Sequence, residues 1–211
     1  ALISWMLDLH TDEHGYTEIA PPYLVHRDTM VGSGNLRKFA YNLYHHLVDD
    51  LWVIPSAEWP LPALHRDEIF EPETLPLYYV AYSPSFRREK AAAGRDPRGM
   101  KRVHQFDKVE LYKIVRAGTS SEELEGLLSN AEEVCRRLEL PYRVVQLCTG
   151  DLGFQSAKSY DLEIWAPGVG EWLEVSTCSD CLDFQARRSG IRYRPEKGAR
   201  LEYPHTLNGS G

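Results

Sequence analysis

The chain has 211 residues, of which 43% are hydrophobic and 26% charged, and this composition excludes a disordered or collagen-like protein. The length predicts one large domain, since it is about 1.4 times a typical domain. No run of about 18 apolar residues occurs, so no membrane-spanning helix is predicted. The first ten residues include no lysine or arginine, and four cysteines are too few for a disulfide framework. A cytoplasmic protein is therefore expected.

Charge is distributed unevenly along the chain. Lysine and arginine total 24 and the acidic residues 31, which gives a net charge of −7. Segment 87–102 alone contains seven basic residues and two acidic ones. Because clustered cations bind phosphates, this segment is predicted to form a local anion site on an otherwise acidic body.

The predicted elements come as helices and as runs of strands. In chain order they are a helix over 1–14, a strand over 16–20, a loop over 31–35, strands over 51–54 and 75–87, a mobile loop over 90–100, a strand over 101–115, a helix over 119–140, strands over 142–147, 160–165 and 172–176, a helix over 182–188 and a ribbon over 191–203. In the helix over 119–140, Ser120 and Glu123 fit a capping box before an apolar stripe. The strands do not alternate with helices, so the prediction is an α+β fold, with an antiparallel β-sheet flanked by helices in a single domain over 1–211.

Polar side chains recur at the two-residue spacing of a strand face. Three such pairs are Ser56/Glu58, Arg87/Glu89 and Glu174/Ser176. One face of the strand over 101–115 would carry Arg102, His104, Phe106, Lys108 and Glu110. A solvated face with ion pairs explains any one pair alone, but an aromatic ring among these charges favours a ligand site. Arginine neutralises phosphate, a ring stacks on a base and carboxylates hold a divalent metal, so the face suits a nucleotide.

Other kinds of site have weaker support. Cys178 and Cys181 have the spacing of half a zinc site, whereas Cys135 and Cys148 stand apart from them, so no structural zinc is expected. The histidines show no HExxH spacing, and no nucleophile elbow supports a Ser-His-Asp triad.

Several motifs together resemble those of one enzyme family. Phe86-Arg-Arg-Glu89 and segments 94–99 and 102–110 resemble motif 2 of the class II aminoacyl-tRNA synthetases and, more narrowly, that of the bacterial-type seryl-tRNA synthetases. The resemblance continues in order through Ser56-Ala-Glu58, Cys148-Thr-Gly-Asp151, Tyr160-Asp-Leu-Glu163, Glu174-Val-Ser-Thr-Cys-Ser179, Asp183-Phe-Gln-Ala-Arg-Arg188 and His205-Thr-Leu-Asn-Gly-Ser210. Residues 15–22 resemble motif 1, which implies a homodimer.

The resemblance implies the class II catalytic-core fold and a serine–tRNA ligase. Such an enzyme activates L-serine with ATP and Mg²⁺ and transfers the seryl group to serine tRNA, and also charges selenocysteine tRNA with serine. The implied L-serine-binding residues are Ser56, Ala57, Glu58, Arg87, Glu110, Asn208 and Ser210. The implied ATP-binding residues are Arg87, Arg88, Glu89, Val103, Phe106, Glu174, Val175, Ser176 and Thr177, of which Glu174 and Thr177 hold Mg²⁺.

Individual roles also follow from the resemblance. Arg87 is the implied catalytic residue, bridging the serine carboxylate and the ATP α-phosphate, while Phe106 stacks on the adenine and Glu110 accepts the serine hydroxyl. The basic segment 87–102 is expected to contact the acceptor end of the tRNA.

Departures from the family pattern leave two alternatives open. The chain stops before motif 3 and does not include the N-terminal arm that grips tRNA in this family. Ser56 stands where the family has threonine, and Trp59 where a small aliphatic residue is usual. A non-catalytic, synthetase-like binding module would share these motifs, as would a ligase that passes the amino acid to a carrier protein.

Overall fold

The computed structural model describes residues 1–34, 36–90 and 101–210. Within these ranges the helices are α1 (Leu2–Asp12), α2 (Arg27–Gly32), α3 (Leu36–Phe39), α4 (Ser120–Arg137) and α5 (Phe184–Ser189). The strands are β1 (Thr17–Glu18), β2 (Leu24–His26), β3 (His45–His46), β4 (Leu51–Val53), β5 (Ile69–Phe70), β6 (Leu77–Phe86), β7 (Gln105–Val115), β8 (Tyr142–Gln146), β9 (Lys158–Ala166), β10 (Glu171–Asp180), β11 (Arg192–Tyr193) and β12 (His205–Ser210). Short 3₁₀ turns span Ala40–Asn42 and Leu61–His65.

The described strands form one large sheet and two small ones. The large sheet has seven strands in the order β1-β6-β7-β12-β10-β9-β8. Its neighbouring strands are antiparallel, except that the edge strand β1 runs parallel to β6. The predicted α+β fold, with an antiparallel sheet flanked by helices, is confirmed, with β1 as the parallel exception. None of the helices in the described ranges combines the length and apolar character needed to cross a bilayer.

One face of this sheet, called here the core face, is covered by α1 and α4. The apolar stripe of α4 places Leu124 and Leu127 against Leu111 of β7 and Leu207 of β12, and all four are completely buried. Burying a leucine side chain contributes about 1.5–3 kcal/mol to folding, so this contact holds α4 on the sheet. The stripe exists because apolar residues recur every three or four positions along the helix.

The opposite face, called here the site face, combines a second apolar cluster with polar side chains. Strand side chains alternate between faces, so Lys108, Glu110 and Tyr112 lie opposite to Leu111 and Lys113. The cluster packs Tyr112 and other strand residues against the 3₁₀ turn Leu61–His65, α5 and β11. This cover does not extend over Lys108 and Glu110 of β7, which lie beside the segment that follows β4.

Strand β12 was missed by the sequence analysis, which predicts a ribbon over 191–203 and no strand after it. The residues from His205 to Ser210 include Asn208-Gly209, a dipeptide typical of turns. In the structure β12 lies between β7 and β10 and pairs with both. Its extended conformation is therefore imposed by these neighbours, and local propensity does not reveal it.

The predicted capping box at the start of α4 is wrong. Thr119 is the N-cap residue, and Ser120 instead hydrogen-bonds through Oγ to Nδ1 of His205 at 2.8 Å. Glu123 accepts hydrogen bonds from the Tyr78 hydroxyl and the Lys113 ammonium. Both side chains tie the helix to the sheet, so neither is available to cap the helix.

Candidate active site

Three polar residues meet on the site face of β7 and the segment after β4. Glu110 is completely buried, and its Oε2 accepts a hydrogen bond from the Ser56 hydroxyl at 2.7 Å. The Lys108 ammonium lies 2.5 Å from the same Oε2 and donates to Ser56 Oγ at 3.2 Å. Among the described residues, Glu110 Oε1 has no hydrogen-bond partner although it is buried. Such an atom is unusual in a folded protein and marks a place for a ligand donor.

Glu58 is held next to this group by a turn. Residues Ser56 and Glu58 do not lie on a strand, so the predicted shared strand face is wrong here, and the Glu58 N–H donates to Ser56 Oγ within the turn. Two side-chain amides, of Gln155 and Gln185, donate to Glu58 Oε1. Burial, and then the nearby charge of Glu110, raises the pKa of Glu58 to about 7.

A cavity of about 260 Å³ opens beside this turn. Its lining residues are Phe39, Asn42, Leu43, Pro55, Ser56, Glu58, Trp59 and Arg87. Half of these residues are apolar, while an arginine and a glutamate supply charges of opposite sign. A cavity of this size and polarity fits a small ligand that carries both charges.

Arg87 follows the end of β6 at the cavity wall. Its N–H donates to the carbonyl of His104 at 3.0 Å, and its guanidinium carbon lies 5.0 Å from the ring centre of Phe106. The structure therefore brings the side chains of Arg87 and Phe106 together. Arg88 is tied to the neighbouring turn by its N–H, which donates to the carbonyl of Asn42 at 2.8 Å.

Glu89 does not continue the strand face of Arg87. Strand β6 ends at Phe86, and Glu89 has a φ of 51°, which turns the backbone away. The predicted Arg87/Glu89 face is therefore wrong, and Glu89 accepts a hydrogen bond from Arg102 at 2.6 Å. The predicted face over 101–115 is confirmed only in part. Phe106, Lys108 and Glu110 share a face of β7, whereas Arg102 and His104 precede this strand, which begins at Gln105.

Part of the basic segment lies outside the described residues. This part is 91–100, which contains Arg95 and Arg98 and most of the predicted mobile loop. Val103, which follows the basic segment and lies two residues before β7, is 39% exposed.

A β-bulge separates the residues predicted to share a face on β10. The pairing of β10 with β9 shifts between Glu174 and Ser176, so Val175 is an extra residue. Thr177 donates to Glu174 Oε1 at 3.0 Å and to Asp161 Oδ1 at 2.7 Å. The prediction for Glu174/Ser176 is therefore wrong, and the bulge instead places Glu174 beside Thr177.

Ser176 faces the other side of the sheet. Its hydroxyl lies beside the buried thiol of Cys178, a member of the core-face cluster, and donates to the Ser210 carbonyl at 2.7 Å. Burial raises the pKa of Asp161, while the hydrogen bond from Thr177 lowers it. Together Asp161, Glu174 and Thr177 form a group of hard oxygen atoms, the ligand type that Mg²⁺ prefers.

Strand β12 brings the last two predicted serine-binding residues to β7. Ser210 pairs with Glu110 and Asn208 with Tyr112. The Asn208 side-chain oxygen is 3.7 Å from the Cys181 sulfur, which donates to it. Burial raises the pKa of Cys181 well above its ordinary value.

Four residues of the site have contacts that the sequence did not predict. They are Lys108 as a partner of Glu110, Gln155 and Gln185 as donors to Glu58, and Asp161 as a partner of Thr177. The same-face pattern on β7 was the signal for Lys108. The amides and Asp161 lie inside or beside family-like motifs, but only the tertiary contacts indicate what they bind.

Comparisons with known proteins agree with this geometry. Residues 41–210 match the model of the tRNA synthetase class II core domain (G, H, P, S and T). The serine–tRNA ligase of Thermomicrobium roseum is 63% identical over all 211 residues, which cover 47% of its length, and that of Herpetosiphon aurantiacus is 61% identical, with 50% covered. The chain thus spans about half the length of the curated relatives it matches.

A solved structure shows the same fold at high similarity. The crystal structure of seryl-tRNA synthetase from Pyrococcus horikoshii complexed with ATP has a TM-score of 0.94 and 46% identity, covering 99% of this chain and 46% of that one. The class II synthetase core fold that the motifs imply is therefore confirmed. Because the family model matches more than half of its residues, the chain belongs to the tRNA synthetase class II core domain family (G, H, P, S and T).

Proposed function

We propose that the chain is the catalytic core of a cytoplasmic serine–tRNA ligase that works as a homodimer through residues 15–22. The enzyme would activate L-serine with ATP, transfer the seryl group to the 3′ end of serine tRNA and also charge selenocysteine tRNA with serine. The observation that carries the proposal is a cavity lined by both Arg87 and Glu58, whose charges complement the carboxylate and ammonium of an amino acid. Relatives named serine–tRNA ligase, at up to 63% identity over the whole chain, support the choice of serine.

Serine would be bound through each of its polar groups. We assign its ammonium to Glu58 with Ser56 and Ala57, its carboxylate to Arg87 and its hydroxyl to Glu110, with Asn208 and Ser210 closing the pocket. The buried Oε1 of Glu110 has no hydrogen-bond donor among the described residues, and a serine hydroxyl would supply one. Alanine would leave the atom unpaired, and sites of this kind reject the analogue that lacks the polar group.

The nucleotide would lie between β6, β7 and β10. We assign it to Arg87, Arg88, Glu89, Val103, Phe106, Glu174, Val175 and Thr177, with Ser176 contributing through its backbone. The ring of Phe106, already stacked near the Arg87 guanidinium, offers a surface for the adenine. Asp161, Glu174 and Thr177 fit Mg²⁺ by their oxygen chemistry. When bound, the ion would neutralise phosphate charge.

The first chemical step joins two anions. A serine carboxylate oxygen attacks the α-phosphorus of ATP, and pyrophosphate leaves as the oxygen–phosphorus bond forms. The carboxylate is ionised at neutral pH, so no general base is needed. Arg87 would hold the two anions together and stabilise the charge that develops, so positioning and electrostatics account for its role. The 3′-terminal adenosine hydroxyl of the tRNA then attacks the activated carbonyl and releases AMP.

Removal of the Arg87 guanidinium tests the proposal. We expect Arg87→Ala to abolish serine-dependent ATP–pyrophosphate exchange by the intact polypeptide that contains this chain. Arg143→Ala is the matched control, because Arg143 also stacks on an aromatic ring, that of Trp172 at 4.6 Å, but on the edge strand β8. Near wild-type exchange in Arg87→Ala would contradict the site assignment. Charging of a carrier protein in place of serine tRNA would contradict the proposed acceptor.

A further inference from the structure

Gln185 of α5 is a buried amide whose hydrogen bonds converge on the cavity wall. It is completely buried on the site face. Its Oε1 accepts hydrogen bonds from the Tyr112 hydroxyl and the Thr206 hydroxyl, each at 2.8 Å. Its Nε2 donates to Glu58 Oε1, also at 2.8 Å. Gln185 thus joins the strands β7 and β12 to a residue that lines the cavity.

These contacts fix which way the amide faces. If the amide were turned over, its oxygen would face Glu58 Oε1, and two acceptors would then meet in a buried place. Burial raises the pKa of Tyr112, so its hydroxyl keeps the proton that it donates to Gln185. The arrangement therefore presents an N–H group to the Glu58 carboxylate.

We propose that Gln185 is a positioning residue for amino-acid binding, which orients the Glu58 carboxylate from behind the cavity wall. Because Gln155 and Gln185 both donate to Oε1 of Glu58, the ligand ammonium is assigned to Oε2 of Glu58. This inference rests on the proposed function, in which Glu58 binds the ammonium of serine. Gln185 itself is not among the residues that line the cavity.

The charges around Glu58 make this support necessary. Glu110 of β7 repels the charged form of Glu58, and Lys108 of the same strand partly offsets that repulsion. Arg87 lines the same cavity, and the Cys181 thiol and the Tyr112 hydroxyl are the other titratable groups whose pKa responds to Glu58. A donor from Gln185 favours the ionised carboxylate, the form that attracts an ammonium.

The test replaces Gln185 in the intact polypeptide and measures serine-dependent ATP–pyrophosphate exchange. Gln185→Met keeps the length of the side chain but removes its donor. We expect KM for serine to rise about tenfold or more, with kcat and KM for ATP nearly unchanged, because a hydrogen bond to a charged group is lost. The pH below which serine binding weakens should also move upward.

Two further variants separate positioning from a structural role. Gln185→Glu keeps acceptors for Tyr112 and Thr206 but places a second carboxyl group against Glu58, so the two would share a proton and the ionised form of Glu58 would be disfavoured. It should raise KM for serine even more than Gln185→Met. Thr206→Val is the matched control, since it removes a buried hydrogen bond of Gln185 without touching Glu58, and its KM should stay within about twofold.

The outcomes distinguish this inference from the proposed function. An unchanged KM in both Gln185 variants, or an equal change in Thr206→Val, would overturn the positioning role while the wild type still activates serine. A wild-type enzyme that shows no serine-dependent exchange would overturn the proposed function, and this inference with it.

Discussion

Strand β7 carries one lysine–glutamate ion pair on each face of the central sheet, and the two pairs are completed differently. On the core face, Lys113 lies 2.8 Å from Glu123, whose two oxygens are also within 2.8 Å of the Tyr78 hydroxyl. On the site face, Lys108 and Ser56 share one oxygen of Glu110 and leave the other without a partner. Both carboxylate oxygens of Glu123 therefore have hydrogen-bond donors, whereas one oxygen of Glu110 has none.

Strand β6, next to β7, also carries unpaired polar groups on the site face. Ser83 and Ser85 of β6 pair with Lys108 and Phe106 in the ladder, and the hydroxyls of both serines are buried without a hydrogen-bond partner among the described residues. Each buried unsatisfied group costs about 1–3 kcal/mol. With Glu110 Oε1, these atoms make three of the five unpartnered buried side-chain atoms in the described part of the chain, so the site face carries more of this cost than the core face, where the apolar contacts of α4 maintain the fold.

Breaking the core-face pair should have a large effect on stability and none on serine binding. Lys113→Met leaves Glu123 as a largely buried carboxylate without its cation, so we expect the free energy of unfolding to fall by about 3–5 kcal/mol. Chemical denaturation measures the loss. KM for serine should not change, because the pair lies on the face opposite to the cavity. A variant with full stability would contradict the structural role assigned to this pair.

The pH should affect stability and binding in opposite directions through Glu58. Its pKa is raised from 4.5 to about 7, so its contribution to stability is complete below about pH 4.5 and is lost as the pH rises to about 7. Serine binding needs the ionised form, so KM for serine should increase as the pH falls below 7.

The variant Glu58→Gln isolates this contribution from those of other titrating groups. Denaturation at pH 5 and pH 8 should show a smaller fall in stability in Glu58→Gln than in the wild type, since the amide does not titrate. Equal pH dependence in the two proteins would show that Glu58 is not the responsible group. Serine binding by Glu58→Gln should be weak at both pH values.

Removal of the site-face cation should lower the selectivity for serine. In Lys108→Met, Glu110 loses the charge that offsets its burial and one of the two donors that orient it. We expect the ratio of kcat/KM for serine over alanine to fall about tenfold, and the free energy of unfolding to fall as well, because the buried Glu110 keeps only Ser56 as a donor. Lys108→Arg, which keeps the cation, serves as the control and should retain part of the selectivity.

The elements that sequence predicted well are those whose signal is local. Helix α4 was predicted because its apolar stripe repeats at helical spacing, and the packing of that stripe confirms it. Strand β12 was not predicted, since its neighbours β7 and β10 impose its conformation. The role of Gln185 depends on Glu58, Tyr112 and Thr206, which lie far from it and from one another along the chain. No spacing pattern could have brought these residues together.

The bulge at Val175 shows how one extra residue changes a site assignment. Counting by two places Glu174 and Ser176 on the same face, but the inserted residue moves Ser176 to the core face and brings Glu174 beside Thr177. Family motifs assign both Ser176 and Thr177 to ATP, while the structure directs their hydroxyls to opposite faces. Ser176 and Thr177 therefore allow the two faces of the sheet to be compared at adjacent positions of one strand.

Substitution of these neighbouring residues should separate binding from stability. Thr177→Val removes the donor shared by Asp161 and Glu174, so we expect KM for ATP to rise about fivefold, with little change in unfolding. Ser176→Ala removes the hydrogen bond to the Ser210 carbonyl and should lower the free energy of unfolding by about 1 kcal/mol, with KM for ATP unchanged. Exchange kinetics and denaturation of both variants provide the measurement. If Ser176→Ala raised KM for ATP as much as Thr177→Val, the Ser176 hydroxyl would have to turn through the sheet to reach the nucleotide, and the division of β10 between its two faces would be wrong.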